Sequence, residues 1–149
     1  MGDKELTLKT IWAEEFSQGT GTEPNPTVWG RDIGDGTEYG IPGWGNNELQ
    51  AYTFENAYVN SEQKLEIEAK RITDGSKGDA YYGPVQWTSA RLVTKNKLHV
   101  QYGQIVIRAK VPAGKGLWPA FWMLGSNYSP PNKLFGSTPW PNCGVLRTA

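Results

Sequence analysis

Short strand-like segments separated by turns recur along this chain, and they constrain its fold more than any other feature. The segments over 65–70 and 87–94 contain β-branched, aromatic or alternating apolar residues, a pattern typical of strands. Similar patterns predict further strands over 6–16, 98–102, 104–111 and 117–124. No segment shows the 3.6-residue periodicity of an amphipathic helix. The sequence therefore predicts an all-β fold of the sandwich or barrel type.

The strand pattern is clearest between Leu65 and Lys70, where apolar and charged residues alternate. Because successive side chains of a strand point to opposite faces, the apolar residues at 65, 67 and 69 are predicted to face a core. The charged residues at 66, 68 and 70 are then predicted to face water. Two glycine- or proline-rich stretches, 34–45 and 126–144, are predicted to be loops, where the binding residues of a sandwich commonly lie.

Composition and charge argue against several classes of protein. Aromatic residues make up 12% of the chain, with seven tryptophans, which is enough to bury a core and argues against intrinsic disorder. Fifteen basic residues balance fifteen acidic ones, so neither nucleic acid nor an anionic membrane is expected as a partner. The longest apolar run is far shorter than the ~20 residues of a membrane span. The charged start lacks the apolar core of a signal peptide.

The chain has one cysteine, Cys143, and one histidine, His99. A single cysteine cannot form a disulfide within the chain. One cysteine and one histidine together cannot complete a tetrahedral zinc site. We therefore expect neither kind of site within this sequence.

Hydrolysis of a glycosidic bond usually needs two carboxylates that face one site, so acidic residues are candidate catalytic groups. The candidates are Glu14, Glu15, Asp32, Asp35, Glu48, Glu66 and Glu68. Glu48 has the strongest claim, because it follows two asparagines and the glycine-flanked Trp44 in a polar loop. For this loop, substrate contact and an ordinary hydrogen-bond network are equally consistent with the sequence. No pair of these residues has a spacing that suggests a catalytic couple.

Two tryptophans, Trp118 and Trp122, lie four residues apart in the apolar run over 117–124. On a regular strand this even spacing places both indoles on one face. Two interpretations remain open. Either both faces of the strand are buried in a sandwich, or the indoles form the floor of a cleft and stack on the apolar faces of sugar rings.

Four motifs follow one another along the chain: Gly43-Trp44-Gly45-Asn46-Asn47-Glu48-Leu49-Gln50, Thr88-Ser89-Ala90-Arg91-Leu92, Tyr102-Gly103 and Gly116-Leu117-Trp118-Pro119-Ala120-Phe121-Trp122-Met123-Leu124. Their order and spacing resemble those of the laminarinases of glycoside hydrolase family 16. The segments 12–16 and 140–144 agree as well, so the resemblance spans about residues 11–144. Several separated motifs in the same order make this resemblance specific.

The resemblance implies a β-sandwich of the jelly-roll type that cleaves β-1,3-glucans such as laminarin internally, with retention at the anomeric carbon and no required cofactor. By matching motifs, it implies that the sugar-binding cleft is lined by Asn46 or Glu48, Arg91, Trp118 and Trp122. Glu15 stands where some members supply a calcium ligand, which makes calcium an optional ion. The family also implies an extracellular or periplasmic location.

The sequence departs from the family pattern at residue 144. There the family has a strand reading Glu-x-Asp-x-x-Glu, which carries the nucleophile, a helper aspartate and the acid/base. This chain reads Gly-Val-Leu-Arg-Thr-Ala over 144–149, and no Asp or Glu follows Asp79. We therefore expect a single, incomplete jelly-roll domain over 1–149, about the N-terminal two thirds of the family domain. Residues 145–149 are expected to be a tail outside the family pattern.

Three alternatives for function follow from this departure. The first is a truncated laminarinase-like chain that keeps part of the β-glucan cleft but lacks the catalytic strand, and is inactive or very weakly active. The second is an active hydrolase in which a self-associated assembly uses other carboxylates, Glu48 first of all. The third is a non-catalytic β-glucan-binding module. Because unpaired sheet edges associate with other chains, the missing strands also predict a homodimer or higher oligomer.

Overall fold

The computed structural model describes residues 8–126. Within this range the regular structure consists of short β-strands and two 3-10 helices, so the all-β class is confirmed. The strands are β1 (Gly30–Asp32), β2 (Gln50–Tyr52), β3 (Ala57–Val59), β4 (Leu65–Ile67), β5 (Lys70–Arg71), β6 (Asp79–Ala80), β7 (Gly83–Pro84), β8 (Trp87–Ser89) and β9 (Arg91–Val93). The 3-10 helices span Thr37–Tyr39 and Pro42–Gly45. Neither of these helices of the described part has the length and apolar character needed to cross a lipid bilayer.

The strands β2, β8 and β5 form a three-stranded sheet with β8 in the centre. β2 runs parallel to β8 with Gln50 opposite Trp87, and β5 runs antiparallel to β8 on the other side. β9 follows β8 after one residue and pairs antiparallel with β1, which places Asp32 opposite Arg91. β3 pairs with β4, and β6 with β7. The pairings bring together segments near 32, 50 and 90 that are distant in the sequence.

The core of the described residues is small. Its most completely buried side chains are Val59 and Thr88, and the other buried apolar residues are Trp44, Ala51, Ala57 and Val85. Asn56 is also buried, at 2% exposure, but its amide is bonded on both sides. Its Nδ2 donates to the carbonyl O of Glu68 at 2.6 Å, and its Oδ1 accepts from Thr53 Oγ1 at 2.5 Å. Since a buried amide without partners is costly, these bonds fix the turn between β2 and β3.

The predicted pattern of burial over 65–70 is wrong at Ile67 and Ala69, whereas Lys70 is exposed as predicted. Ile67 is 48% exposed and Ala69 is exposed, whereas Glu66 is only partly exposed and its Oε2 accepts a hydrogen bond from Asn60 Nδ2 at 3.2 Å. Within the described part of the chain, β4 has one neighbouring strand, β3. Alternation separates the two faces of a strand, but the elements that pack on the strand decide which face is covered.

The strand predicted over 87–94 is confirmed as β8 and β9, with a break at Ala90. The strands predicted over 98–102, 104–111 and 117–124, and the described part of 6–16, are wrong, because these residues form no regular strand. A strand needs a partner for its backbone hydrogen bonds, and no sheet within residues 8–126 includes these segments. The described residues do not include the start of the segment predicted over 6–16. They also do not include the predicted loop beyond residue 126, with Trp140, or the tail over 145–149.

Candidate functional site

The loop over 34–49 holds an indole close to the three-stranded sheet. Trp44 lies between two glycines and has a φ of 53°, which is a strained conformation for a residue with a side chain. Its ring is buried, and its Nε1–H donates to the carbonyl O of Gly34 at 3.3 Å. Gly34 exchanges backbone hydrogen bonds of 2.9 and 2.8 Å with Tyr52 of β2. These contacts fix Trp44 relative to the sheet.

Asp35 anchors the same loop to the β6–β7 hairpin. Its carboxylate is 6% exposed and accepts hydrogen bonds from the backbone N–H of Thr37 at 3.0 Å and of Tyr81 at 2.6 Å. Burial raises the pKa of Asp35, but these hydrogen bonds outweigh burial and hold the pKa below its ordinary value. Because Tyr81 lies in the turn between β6 and β7, one carboxylate joins the loop to that hairpin.

Three side chains converge on the carboxylate of Glu48. Tyr52 Oη and Gln50 Nε2 each donate to Glu48 Oε2 at 2.6 Å. Asn46 Nδ2 donates to the other oxygen, Oε1, at 3.0 Å. Burial and the hydrogen bond to Glu48 raise the pKa of Tyr52, because both disfavour a phenolate. Glu48 is therefore a well-positioned hydrogen-bond acceptor.

Arg91 packs on two indole rings. Its Cζ is 4.6 Å from the ring centroid of Trp44 and 4.8 Å from that of Trp122. Its Nε is 3.1 Å from Oδ2 of Asp32, in an ion pair whose side chains are 20% and 22% exposed. Within residues 8–126 this buried Nε has no hydrogen-bond partner, so the contact is electrostatic. Burial raises the pKa of Asp32, and the positive charges of Arg91 and Lys95 act in the opposite direction.

These contacts form one continuous group, which we call the aromatic–arginine cluster. Its members are Asp32, Tyr39, Trp44, Asn46, Glu48, Tyr52, Arg91 and Trp122. Trp44 joins its parts, since its ring centroid is 5.2 Å from that of Tyr39 and 5.5 Å from that of Tyr52. The cluster combines aromatic faces, a planar cation and carboxylate acceptors. This combination suits a ligand that has both apolar faces and hydroxyl groups.

A family model described as Glycosyl hydrolases family 16 matches residues 45–133, which is more than half of the chain. The chain belongs to this family. A beta-glucanase from Rhodothermus marinus is 40% identical over 147 residues, covering 97% of this chain and 44% of that protein. A beta-1,3-glucan-binding protein from Penaeus monodon is 42% identical over 81 residues, covering 46% of this chain and 20% of that protein.

A solved structure of the same kind supports the family assignment. The laminarinase catalytic domain from Thermotoga maritima MSB8 matches this family 16 chain with a TM-score of 0.74 and 43% identity. The match covers 92% of this chain and 49% of that domain. The resemblance to laminarinases and the jelly-roll fold class are therefore confirmed. The chain spans less than half of the length of each of these relatives.

The structure brings together four of the five cleft residues predicted for this family 16 chain: Asn46, Glu48, Arg91 and Trp122. Trp44 and Tyr52 link the two pairs. Trp118 is 74% exposed, and within residues 8–126 no ring contact joins it to the cluster. Trp118 and Trp122 do not share a strand face, because residues 117–124 form no regular strand. That all five residues bind sugar stays a prediction.

Sequence reasoning did not place Trp44, Tyr52 or the Asp32–Arg91 pair in the site. Trp44 has a local signal, since glycines on both sides permit the left-handed backbone that points its ring inward. Tyr52 has a weaker one, because a spacing of four positions would place 48 and 52 on one face of a strand. Asp32 is among the candidate carboxylates of the sequence, but only the pairing of β1 with β9 brings it to Arg91.

Glu15, the residue predicted to bind calcium, is exposed. Within the described range, no group of three or more His, Cys, Asp or Glu side chains is arranged to hold a metal ion. The neighbouring Glu14 accepts hydrogen bonds from the Phe16 N–H at 3.0 Å and from Trp29 Nε1 at 3.3 Å. Residues 8–126 do not supply a calcium-ligand set of this kind, and hydrolysis by paired carboxylates needs no cofactor.

Proposed function

We propose that this chain binds β-1,3-glucan, such as laminarin, at the aromatic–arginine cluster, as part of a laminarinase-like cleft. The position of Arg91 carries this proposal. Its guanidinium carbon lies within 5 Å of the ring centroids of both Trp44 and Trp122, and its Nε is paired with Asp32. A guanidinium fixed in this way is preorganised to donate from its Nη groups to sugar hydroxyls. The relatives named beta-glucanase, laminarinase and beta-1,3-glucan-binding protein support glucan as the ligand.

Trp122 and Glu48 supply the other two kinds of contact in this proposal. The indole of Trp122 is 51% exposed although Arg91 packs on it, so part of the ring is open to the apolar face of a sugar. A carboxylate has about four acceptor positions, and three donors already occupy Glu48. About one position is left for a sugar hydroxyl.

We propose that these 149 residues alone do not hydrolyse the glucan by the family mechanism. Retaining hydrolysis uses two carboxylates about 5–5.5 Å apart, one as the nucleophile and the other as the acid/base. No carboxylate side chain follows Asp79 in this sequence, and Asp32 is engaged with Arg91. Glu48 cannot perform both roles, so the chain acts as a glucan-binding module.

Hydrolysis by a self-associated assembly is the second candidate function. One observation favours it, namely that the carboxylate of Glu48 is fixed by its three donors beside the proposed sugar site. A second copy of the chain would then have to supply the partner carboxylate. Glu48→Gln keeps the size of the side chain but removes the carboxylate, and so tests this function directly.

Isothermal titration calorimetry with laminarin as the ligand tests the proposed function. We expect the chain to bind laminarin and to release no reducing ends from it. Arg91→Ala is expected to weaken binding by about tenfold or more, since a hydrogen bond from a charged donor is worth about 1.5–3 kcal/mol. Arg91→Lys keeps the charge but loses the planar fork, and is expected to weaken binding nearly as much. Arg108→Ala, at an exposed arginine outside the cluster, is the matched control.

Two results would contradict this proposal. Equal affinity of the Arg91 variants, the Arg108 variant and the unchanged chain, with normal thermal unfolding of all of them, would exclude the cluster as the binding site. Release of reducing ends that disappears in Glu48→Gln would instead support the hydrolase.

We also propose that the chain self-associates and acts outside the cell or in the periplasm. The apolar segment, defined as residues 98–126, supports self-association because, besides Trp122 of the cluster, it exposes many large hydrophobic side chains: Val100, Tyr102, Ile105, Val106, Ile107, Val111, Leu117, Trp118 and Phe121. A concentration of exposed apolar side chains in one segment favours association with another chain. The location follows from the proposed ligand, since a polysaccharide is too large to diffuse across a cell membrane.

A further inference from the structure

The dipeptide Asp-Gly occurs twice in this sequence, at Asp35–Gly36 in the loop over 34–49 and at Asp74–Gly75 between β5 and β6. The two turns have the same local geometry. Oδ1 of each aspartate accepts a hydrogen bond at 3.0 Å from the backbone N–H two positions later. Both glycines have a positive φ, which is 90° at Gly36 and 68° at Gly75. Any difference in reactivity between the two dipeptides therefore comes from what surrounds them.

An Asp-Gly dipeptide can rearrange without an enzyme. The backbone N of the glycine bonds to Cγ of the aspartate, and the N–H proton leaves with the carboxyl hydroxyl as water, which closes a succinimide ring. Water then opens the ring. When it adds at the main-chain carbonyl carbon of the aspartate, the product is isoaspartate, whose main chain passes through Cβ and Cγ. One water is lost and one is regained, so no oxidant or reductant is needed. Glycine favours ring closure because no side chain hinders the approach to its nitrogen.

The fold holds the first of these dipeptides on every side. Asp35 is 6% exposed, and its second oxygen accepts a hydrogen bond from the Tyr81 N–H at 2.6 Å. The carbonyl O of Gly36 accepts hydrogen bonds of 3.0 Å from the N–H groups of Tyr39 and Ile41. Ring closure must turn the carboxyl group towards the glycine nitrogen, and ring opening must admit water. Both steps would require these hydrogen bonds to break, so the fold opposes the reaction at Asp35.

The second dipeptide lies in an open loop. Asp74 and Gly75 are both exposed. Apart from the residues next to it in the chain, no described heavy atom lies within 4 Å of a Cβ placed on Gly75. The carbonyl O of Gly75 accepts one backbone hydrogen bond, from the Gly78 N–H at 3.2 Å. Exposed turns of this kind open at a small cost in free energy, so the carboxyl group of Asp74 is free to reach the glycine nitrogen in the presence of water.

We propose that Asp74 is a site of spontaneous isoaspartate formation in the folded chain, and that the fold protects Asp35 from the same reaction. The reactive dipeptide lies in a loop that contributes no residue to the aromatic–arginine cluster. The protected one joins the loop that holds Trp44 to the β6–β7 hairpin. Rearrangement therefore lengthens the main chain by one methylene group between β5 and β6 and leaves the site loop intact. This inference does not depend on glucan as the ligand.

Prolonged incubation of the folded chain, followed by trypsin digestion and labelling with an isoaspartyl methyltransferase, tests this proposal. Trypsin cleaves after lysine and arginine, so Asp74 lies in the peptide 72–77 and Asp35 in the peptide 32–64. A mildly acidic buffer is chosen because the N–H of Ser76 and the charge of Lys77 lower the pKa of Asp74, and the neutral carboxyl group is the form that loses water. We expect the label in 72–77 to exceed that in 32–64 by about tenfold or more, since the loop at Asp35 must first open.

Two comparisons complete the design. In guanidinium chloride, which removes the fold, both peptides should be labelled at similar rates. Asp74→Glu keeps a carboxylate but requires a larger ring that closes much more slowly, and should abolish the label in 72–77. Asp79→Glu makes the same change at an exposed aspartate followed by alanine, and should leave that label unchanged.

Several outcomes would overturn the proposal. A peptide 72–77 from the folded chain that gains no label would exclude Asp74 as a reactive site. Equal labelling of both peptides in the folded chain, or the same difference between them in guanidinium chloride, would show that the fold does not protect Asp35. A label in 72–77 that persists in Asp74→Glu would assign the modification to another residue.

Discussion

At the scale of single residues, the site loop depends on glycines whose backbone conformation is unfavourable for a residue with a side chain. Gly36 has a φ of 90°, and a Cβ at this position would lie 2.3 Å from the carbonyl O of Ile41 and 3.0 Å from the backbone N of Trp44. Gly45 has a φ of 75°, but no atom lies within 4 Å of its Cβ position. The two glycines therefore share a left-handed backbone and differ in the space around them.

We expect Gly36→Ala to be more damaging than Gly45→Ala. Left-handed backbone costs about 1–2 kcal/mol for a residue with a Cβ, and this cost is common to both variants. Gly36→Ala adds a clash with backbone atoms of the loop that holds Trp44, for a total of about 3 kcal/mol or more. Urea unfolding measures the free energy of both variants, and laminarin binding should weaken only in Gly36→Ala. Equal losses of unfolding free energy would contradict this interpretation.

At the scale of elements, Asp35 makes the attachment of the site loop to the β6–β7 hairpin dependent on pH. Its pKa is lower in the folded chain than the ordinary value of 3.8. Ionised Asp35 therefore stabilises the fold above about pH 4, and this contribution is lost as the pH falls through the folded-state pKa. Asp32 changes the stability of the fold with pH in the opposite direction, because its pKa is raised above 3.8. Its ionisation lowers the stability as the pH rises through the folded-state value.

We expect Asp35→Asn to reduce the free energy of unfolding by about 1–2 kcal/mol near pH 6, because hydrogen bonds to a charged acceptor are replaced by weaker ones. The difference from the unchanged chain should shrink as the pH falls below 4, where the unchanged chain also becomes neutral at this position. Urea unfolding of both chains across this pH range measures the difference in the free energy of unfolding. Asp79→Asn, at an exposed position of the same hairpin, is the control. A difference that does not vary with pH would refute the assigned role of the charge.

The elements also show which parts of the fold follow from the sequence. The strand prediction over 87–94 is confirmed, because β8 and β9 find their partners β2, β5 and β1 within the described residues. Residues 104–111 have an equally strong strand composition, yet they form no strand in this range. Whether a segment forms a strand depends on its pairing with distant segments, and local composition does not reveal that pairing. The burial of Ile67 could not be predicted for the same reason. Alternation assigns its side chain to one face of β4, but it does not show whether another element covers that face.

For the site as well, contacts within one loop could be predicted from the sequence, whereas contacts between distant segments could not. Asn46 and Glu48 are predicted together and lie in direct contact, because they are two positions apart and one loop carries both. The resemblance to the family supplied Arg91 and Trp122, and the structure stacks one on the other. The contact of Asp32 with Arg91 has no such signal, because the antiparallel pairing of β1 and β9 sets it.

At the scale of the whole molecule, charge and apolar surface are distributed unevenly. All fifteen acidic residues lie within residues 1–79, whereas residues 98–149 contain five basic residues and no acidic one. The apolar segment 98–126 therefore presents positive charge together with exposed hydrophobic side chains. The preceding residues of a second copy offer an excess of negative charge. Such complementarity favours contact between the apolar segment of one copy and the acidic part of another.

We therefore expect the chain to self-associate, with a dissociation constant measurable by sedimentation equilibrium. Val106 is 79% exposed within the apolar segment, and Ile11 is 91% exposed outside it. Val106→Asp replaces apolar surface and positive potential with a negative charge, and should weaken association by about tenfold or more. Ile11→Asp makes the same kind of change elsewhere and should have little effect. Because part of the attraction is electrostatic, it should also weaken as salt is added. A chain that sediments as a monomer at every concentration, or two variants with equal effects, would show that the apolar segment does not pair with a second copy.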